Sequence, residues 1–450
     1  MNQTAPLNIT MLAEKATKAS LVDSSFYSQY DVKRGLRDIN GKGVLAGLTQ
    51  IGEVCSHTAA ADSSLTGPGN LVYRGIDIQE IVDGFLKEER CGFEETIYLL
   101  LFGELPNAAT LKAFEQMLFT RRELTPDFVH DSMLKLPSRD IMNAMSQSVL
   151  ALYTLDDRAN DTDIPNVLDQ SLRLIALFPL LAAYAYRAHA YRFSGQSLFL
   201  HAPSCKLSTA ANFLSLLRED GSYTPLEERL LDLALVLHAE HGGGNNSSFT
   251  THVVTSSGTD TYSAITAALC SLKGPRHGGA NVKVVQMFDA IKEAVSDWSS
   301  DGQVADILGK LVQKEAFDRS GLIYGMGHAV YSVSDPRSTI LREHVGQLAQ
   351  EKGLEAEMDL YLRVERLAPE VIGHHRKVYK GVCANVDFYS GLLYRLLDIP
   401  QELFTPLFAM SRIVGWSAHR IEELANAGKI IRPAYKSVTV RRHYTPLTKR

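Results

Sequence analysis

The sequence predicts a mainly α-helical protein with a few short strands, most of them near the N-terminal end. Three observations carry this. Apolar residues recur at three- and four-residue spacing through most of the chain, the period of a helix that buries one face. Strand-like alternation is confined to a few short stretches. No succession of strand, helix and strand is present, which excludes a Rossmann fold or an α/β barrel. No repeat of 20–50 residues and no low-complexity segment interrupts this pattern.

In chain order, "GVLAGLTQIGEV" (43–54) and "NLVYRGI" (70–76) read as strands. "FEETIYLLLFGEL" (93–105) and "AATLKAFEQML" (108–118) read as helices separated at Pro106, with Asn107 capping the second. "LIALFPLLAAYAY" (174–186) is a 13-residue apolar run, too short to cross a bilayer, and reads as a buried core helix. Helices follow over "LEERLLDLALVLHAEHG" (226–242), "TYSAITAALCSL" (261–272) and "ANVKVVQMFDAIKEAV" (280–295). "SDPRSTILREHVGQLAQEKG" (334–353) carries its own signals: Asp335 as cap, Pro336 in the first turn and Gly353 as terminator. "NVDFYSGLLYRLL" (385–397) and "FAMSRIVGW" (408–416) are further helices, and "KSVTV" (436–440) is a last candidate strand. Breaks between domains are expected at Lys273–Gly279 and near Asn385–Gly391.

With 450 residues, the chain is long enough for a large domain and a smaller one. Its 45% hydrophobic and 22% charged residues are those of an ordinary globular protein. A net charge of −5 provides no global field for nucleic acid, so an anionic ligand would have to meet a local cluster of basic residues. Five scattered cysteines, none in CxxC spacing, fit a reducing compartment and argue against a disulfide scaffold or zinc ribbon. The N-terminal residues have neither a secretory pattern nor Arg richness, so a cytoplasmic location without membrane attachment is expected.

Several polar residues occupy unusual settings. "GPRHGGAN" (274–281) and "GMGHAVY" (325–331) each hang one histidine, His277 and His328, in a glycine-lined stretch, where backbone can approach a ligand closely. His277 lies just before a helix, whose N-terminal dipole would keep the imidazole neutral and able to hydrogen-bond a developing enolate. His238 and His241, in "LHAEHGGGNN", have three readings: a metal pair with Glu240 nearby, core histidines bonded to carbonyls, or a donor at His241 to an anion. Asp387 precedes an amphipathic helix; the plain reading is an N-cap and the functional one a partly desolvated general base. Arg337 starts a helix and suits bidentate capture of a carboxylate, unless it is simply solvated. Arg412 lies in an apolar helix and needs an anion, from the protein or from a ligand. Arg432 follows two isoleucines, and the basic tail beyond it reads as solvated surface. Histidines, an aspartate and arginines, without a nucleophilic Ser or Cys, suggest proton abstraction from carbon and enolate stabilisation on a ligand with more than one carboxylate.

Taken together, "GPRHGGAN", "GMGHAVYSVSDPR", "NVDFYSGLLYRLLDIPQELFTPLFAMSRIVGW" and "IIRP", with "LVYRGIDIQEIV", "FEETIYLLLFGELP" and "HAEHGGGNNSSFTTHVV" upstream, resemble the citrate synthase family from about residue 40 to 435. The resemblance implies a two-domain helical homodimer. Residues 1–278 and 391–450 would form the large domain, and 279–390 a small one that closes over oxaloacetate and acetyl-CoA. It implies that Asp387 takes the acetyl proton, His277 hydrogen-bonds the enolate, and His328 polarises the oxaloacetate carbonyl. Citryl-CoA would then be hydrolysed to citrate and CoA, the entry step of the tricarboxylic acid cycle. His241, Asn245, Arg337 and Arg412 match oxaloacetate-binding positions, and Arg432 the arginine that reaches the partner's site. Gly325, Met326 and Gly327 match the stretch that receives the CoA adenine. No cofactor and no metal are implied.

The chain departs from the family's common pattern at Glu240-His241-Gly242, where Asp-His-Glu is usual, and at Ala434, where a second arginine is common. A 2-methylcitrate synthase using propionyl-CoA, or a dual enzyme, would share every motif, since one methylene changes pocket binding by only about 1–3 kcal/mol. More distant readings are a citryl-CoA lyase, a non-catalytic helical binding protein and a metal-dependent hydrolase.

Overall fold

In a computed structural model, residues 8–38, 43–56, 67–376, 381–426 and 428–449 are described. They fall into two compact units, residues 47–431 and residues 1–46 with 432–450. The smaller unit contains the helix Ile9–Ser20, capped by the Asn8 side chain on the Met11 amide, and buries none of that helix. It leaves Leu21, Leu45, Tyr435 and Val440 exposed. "KSVTV" forms no strand there; the segment is mostly exposed and pairs with no strand among the described residues.

The larger unit is helical apart from one antiparallel sheet in the order β1 (Gly52–Cys55), β2 (Asn70–Tyr73), β3 (Ile76–Asp77). Of the stretch 43–54, therefore, only the C-terminal end pairs. Gly52 faces Tyr73 across the first ladder and Tyr73 faces Ile76 across the second. Tyr73 is fully buried, and its hydroxyl donates to the carbonyls of Val236 and Glu240 at 3.0 and 3.1 Å. The small sheet thus braces the end of the helix Pro225–His238.

Most expected helices form. Asn107 caps Ala108–Phe119, and Asp335 caps Pro336–Glu351, after which Gly353 takes φ +66°. The apolar run at 174–186 is the middle of a much longer helix, Ile164–Ser194. By length and composition that helix could cross a bilayer, yet 83% of its most apolar window is buried within the protein. The helix Phe404–Ala425 buries an unbroken run from Phe404 to Arg420 apart from Thr405, polar Ser411, Arg412, Ser417, His419 and Arg420 included. Buried polar groups at this density need partners or a ligand. The expected break at Lys273–Gly279 separates the helices Thr261–Lys273 and Ala280–Ala294. Near the second, at Asn385–Gly391, the helix Val386–Leu396 begins after its cap Asn385 and runs through Gly391. None of the five cysteines forms a disulfide among the described residues.

Candidate active site

Two loops and three helix ends supply the polar residues. The segment after Pro225–His238 comes first. The helix stops at His238, so His241 lies beyond it and the two do not share a helical face. His238 is fully buried, packed on the Phe408 ring at 4.5 Å, and neither ring nitrogen has a hydrogen-bond partner. His241 turns toward the other loop: its Nε2 meets the Tyr331 hydroxyl at 3.3 Å and its ring stands edge-on to His328 at 5.3 Å. Burial, and then the charge of Arg337, hold the His241 pKa well below the ordinary imidazole value. With the helix ending at His238 and His241 turned to Tyr331 and His328, the two do not present their rings from one helical face as the metal reading of their spacing required.

Glu240 between them is fully buried. Its Oε1 contacts His419 Nε2 at 3.0 Å and accepts from the Gly242 amide. Burial works against its charge, but His419 and Arg412 outweigh that and hold the carboxyl below its usual range. Room for it depends on Gly415, where a Cβ would stand 2.3 Å from Glu240 Oε2 and 2.6 Å from the Ala239 carbonyl oxygen.

Arg412 donates from Nε to the His238 carbonyl at 2.7 Å. Its Nη1 and Nη2 are buried without a partner. Burial pulls its pKa down to about 10, with Glu240 opposing, so it remains a cation at neutral pH. Two buried guanidinium nitrogens without acceptors are costly unless a ligand supplies them. Arg337 is already engaged: Nε and Nη2 bind Asp335 at 3.0 and 2.8 Å, and that carboxylate raises its pKa despite burial. The bidentate carboxylate expected of Arg337 is thus, in this structure, its own helix cap.

His277 Nε2 meets Ser247 Oγ at 3.0 Å. That hydroxyl also accepts from Trp416 Nε1 at 3.0 Å and bonds Asn245 Oδ1 at 3.0 Å. Burial, and after it Arg412, lower the His277 pKa to about 4, so the ring is neutral. The direction agrees with the sequence reading, with burial and the Arg412 cation as the larger causes, and the helix that follows starts at Ala280.

His328 Nδ1 accepts from the amides of Val330 and Tyr331, both at 3.1 Å. Two N–H donors on Nδ1 demand a lone pair there, which places the ring proton on Nε2. The preceding Gly325 and Gly327 have φ of +81° and +90°, and a Cβ on Gly325 would meet Phe388 at 2.8 Å. Around them the backbone is stitched to the segment before Asp387. Gly327 N donates to Cys383 O at 2.7 Å, Asn385 N to Gly325 O at 2.8 Å, and Asn385 Nδ2 to Gly327 O at 2.9 Å. Met326 and Ala384 form an antiparallel bridge.

Asn385, not Asp387, caps the helix Val386–Leu396, accepting from the Asp387 amide at 3.0 Å. The Asp387 carboxylate is thereby released from capping, and no described residue hydrogen-bonds it. Burial raises its pKa to about 6, with Arg337 and Arg412 pulling the other way. Arg412 is the common neighbour: its charge reaches His241, His277, Arg337 and Asp387. Arg432 is exposed and belongs to the smaller unit. Beside Met326 opens a cavity of about 430 Å³, bordered by Asp335, Arg342, Glu365, Arg366 and Cys383.

Sequence reading missed Ser247, Trp416, Tyr331, Asn385 and His419. Trp416 was the one with a visible signal, being one of only two tryptophans and lying four residues after Arg412. The others are ordinary polar residues whose role comes from tertiary contact.

A helical fold that gathers buried imidazoles, a carboxyl raised by burial and an arginine with open donors matches that of acyltransferase-type enzymes among known proteins. The chain belongs to the citrate synthase family: the family profile "Citrate synthase, C-terminal domain" matches residues 40–434. It is 34% identical to the citrate synthase of Synechocystis sp. over 410 residues, covering 90% of this chain and 93% of that one. It is 33% identical to the 2-methylcitrate synthase of Shewanella oneidensis over 398 residues, covering 88% and 96%. Among solved structures, it resembles the ternary complex of citrate synthase from Thermoplasma acidophilum with carboxymethyl coenzyme A and oxaloacetate, with a TM-score of 0.76 at 25% identity over 93% of this chain and 99% of that one. The citrate synthase of Pyrobaculum aerophilum gives a TM-score of 0.72 at 29% identity, over 91% and 94%.

Proposed function

We propose that this enzyme condenses acetyl-CoA with oxaloacetate and hydrolyses the citryl-CoA formed, giving citrate and CoA without a metal or cofactor in the chemistry. The single observation that carries this reading is Arg412, whose two buried, unpartnered Nη atoms stand in one electrostatic neighbourhood with Asp387. One binds a ligand carboxylate; the other is a base poised near the working pH.

Asp387 removes a methyl proton from the thioester. His277 stabilises the enolate oxygen as a neutral donor: Ser247 gives its proton to Nε2, which leaves Nδ1–H for the substrate and turns the Asn245 amide nitrogen toward Ser247. His328 donates from Nε2–H to the oxaloacetate carbonyl, making its carbon electrophilic. Arg412, Arg337, His241 and Asn245 hold oxaloacetate, whose negative charge answers the Arg337 and Arg412 cations that, with burial, keep His241 and His277 neutral. Gly325-Met326-Gly327 and the adjoining cavity, edged by Arg342 and Arg366, receive CoA. Residues 279–390 act as the small domain, closing on residues 1–278 and 391–450 to exclude water. Arg432 completes the site of a second copy, and the exposed apolar residues of the smaller unit suit burial in that dimer. The enzyme works in the cytoplasm.

Condensation of propionyl-CoA to 2-methylcitrate is the second reading, favoured by nearly equal identity to relatives of both kinds. The test is steady-state release of CoA thiol with oxaloacetate and either acyl-CoA, in chelator. A large kcat/KM advantage for acetyl-CoA is expected. Equal or better use of propionyl-CoA moves the assignment to the second reading, and no release with either defeats both.

A further inference from the structure

Beyond Glu240, which contacts His419, a second group of polar residues has no part in the chemistry above. We propose that His252, His419 and Glu422 form a binding site for a first-row divalent metal ion of the zinc type. The residues come from two packed helices. His252 lies on Asn246–Thr255, while His419 and Glu422 lie three residues apart on Phe404–Ala425 and so share a face. Their ligand atoms all lie within 4.8 Å of one another.

Three features distinguish this group from a chance cluster. First, His252 Nε2 and His419 Nδ1 face each other at 3.1 Å. A metal at about 2.05 Å from both nitrogens would subtend an angle of about 100°, close to tetrahedral. Second, the far nitrogen of each ring is held by its own carboxylate. His252 Nδ1 meets Glu423 Oε2 at 2.8 Å, and His419 Nε2 meets Glu240 Oε1 at 3.0 Å. Metal-binding histidines are oriented by such carboxylates, which fix the tautomer and strengthen the ligating nitrogen. Third, Glu422 has one oxygen anchored and one in reserve. Oε1 accepts from the Gln50 amide at 2.7 Å, whereas Oε2 is buried without a hydrogen bond, 3.8 Å from His419 Nδ1. Gly243 leaves the space beside the rings open; a Cβ there would lie 3.4 Å from His419 and 3.5 Å from His252.

Two imidazoles and one carboxylate, with water as fourth ligand, suit zinc, cobalt or nickel rather than calcium or magnesium, which take oxygen ligands. Because the ligands span two helices, the ion would clamp them together; its role is structural.

The test uses full-length enzyme stripped with chelator, then titrated with zinc by calorimetry and with cobalt(II) by visible absorption. The expected result is one ion per chain, an intense visible cobalt band, and an unfolding midpoint raised by about 3 °C at metal 100-fold above Kd. His252→Gln should weaken binding about 100-fold and abolish the cobalt band while CoA release without metal stays unchanged. If that variant does not fold, Glu422→Gln should weaken binding about 10-fold. No saturable uptake by the wild type, or uptake unaltered in the variants that fold, overturns the proposal and leaves the cluster a hydrogen-bonded network.

Discussion

Replacing Asp387 by Asn should remove activity and at the same time stabilise the folded chain at neutral pH. An unfolded chain ionises this carboxyl near 3.8, and the folded protein near 6. Between those values the folded state binds more protons than the unfolded one, so stability falls as pH rises through the window and stays lowered above it. The cost of the ionised group at pH 8 is about 3 kcal/mol, and at pH 5 about half of that. Asparagine keeps the shape and carries no such cost. For 450 residues the unfolding entropy is about 0.9 kcal/mol per kelvin, so the midpoint should rise by about 3 °C at pH 8 and by about half as much at pH 5. Calorimetric scans of both proteins at the two pH values, beside CoA-release assays, measure this. A variant that melts at or below the wild type at pH 8, or gains equally at both pH values, would refute the account of Asp387 as a carboxylate held in a desolvated site. Retained turnover would refute its role as base.

Three further outcomes are expected. The acid limb of kcat/KM should fall at about pH 6, since Asp387 must be ionised to accept the proton; a profile flat from pH 5 to 8 would contradict it. Ser247→Ala should lower kcat about 100-fold with oxaloacetate affinity nearly intact, because it frees His277 rather than the arginines; a change confined to KM would place Ser247 in binding instead. Gly415→Ala should cost about 1–3 kcal/mol in denaturant unfolding, by driving a methyl into Glu240 and the Ala239 carbonyl, and an unperturbed midpoint would show that this contact relaxes freely.

Much of this was readable in the sequence, for physical reasons that differ between elements. The helix Pro336–Glu351 carries its start and stop signals locally, so cap, proline and terminating glycine all fell where expected. Arg412 announced itself because an arginine among apolar neighbours needs an explanation wherever the helix lies. Asp387 was legible as a residue but not as a state: only the structure shows that Asn385 takes over capping and leaves the carboxyl to be raised by burial. His277 was legible as a neutral imidazole before a helix, but its burial and the nearby Arg412 charge, which lower its pKa, are not written in local sequence. Arg337's engagement with Asp335 is a local side-chain pair two residues apart that no helical periodicity marks, whereas the support of His277 by Ser247 and Trp416 links residues brought together only by the fold. The 436–440 stretch shows the converse error, in which β-branched residues suggested a strand that no partner stabilises.

The hydrogen bonds between residues 325–327 and 383–385 bear on how such an enzyme can change over time. They run almost wholly through main-chain atoms, which mutation does not alter. The spacing between the loop of His328 and the helix start of Asp387 is therefore insulated from most substitutions around it. Side chains lining the acyl end can be exchanged for larger or smaller ones while the reacting groups keep their separation. Relatives named citrate synthase and 2-methylcitrate synthase stand at 34% and 33% identity to this chain, and a main-chain tie of this kind is one that either acyl specificity could share.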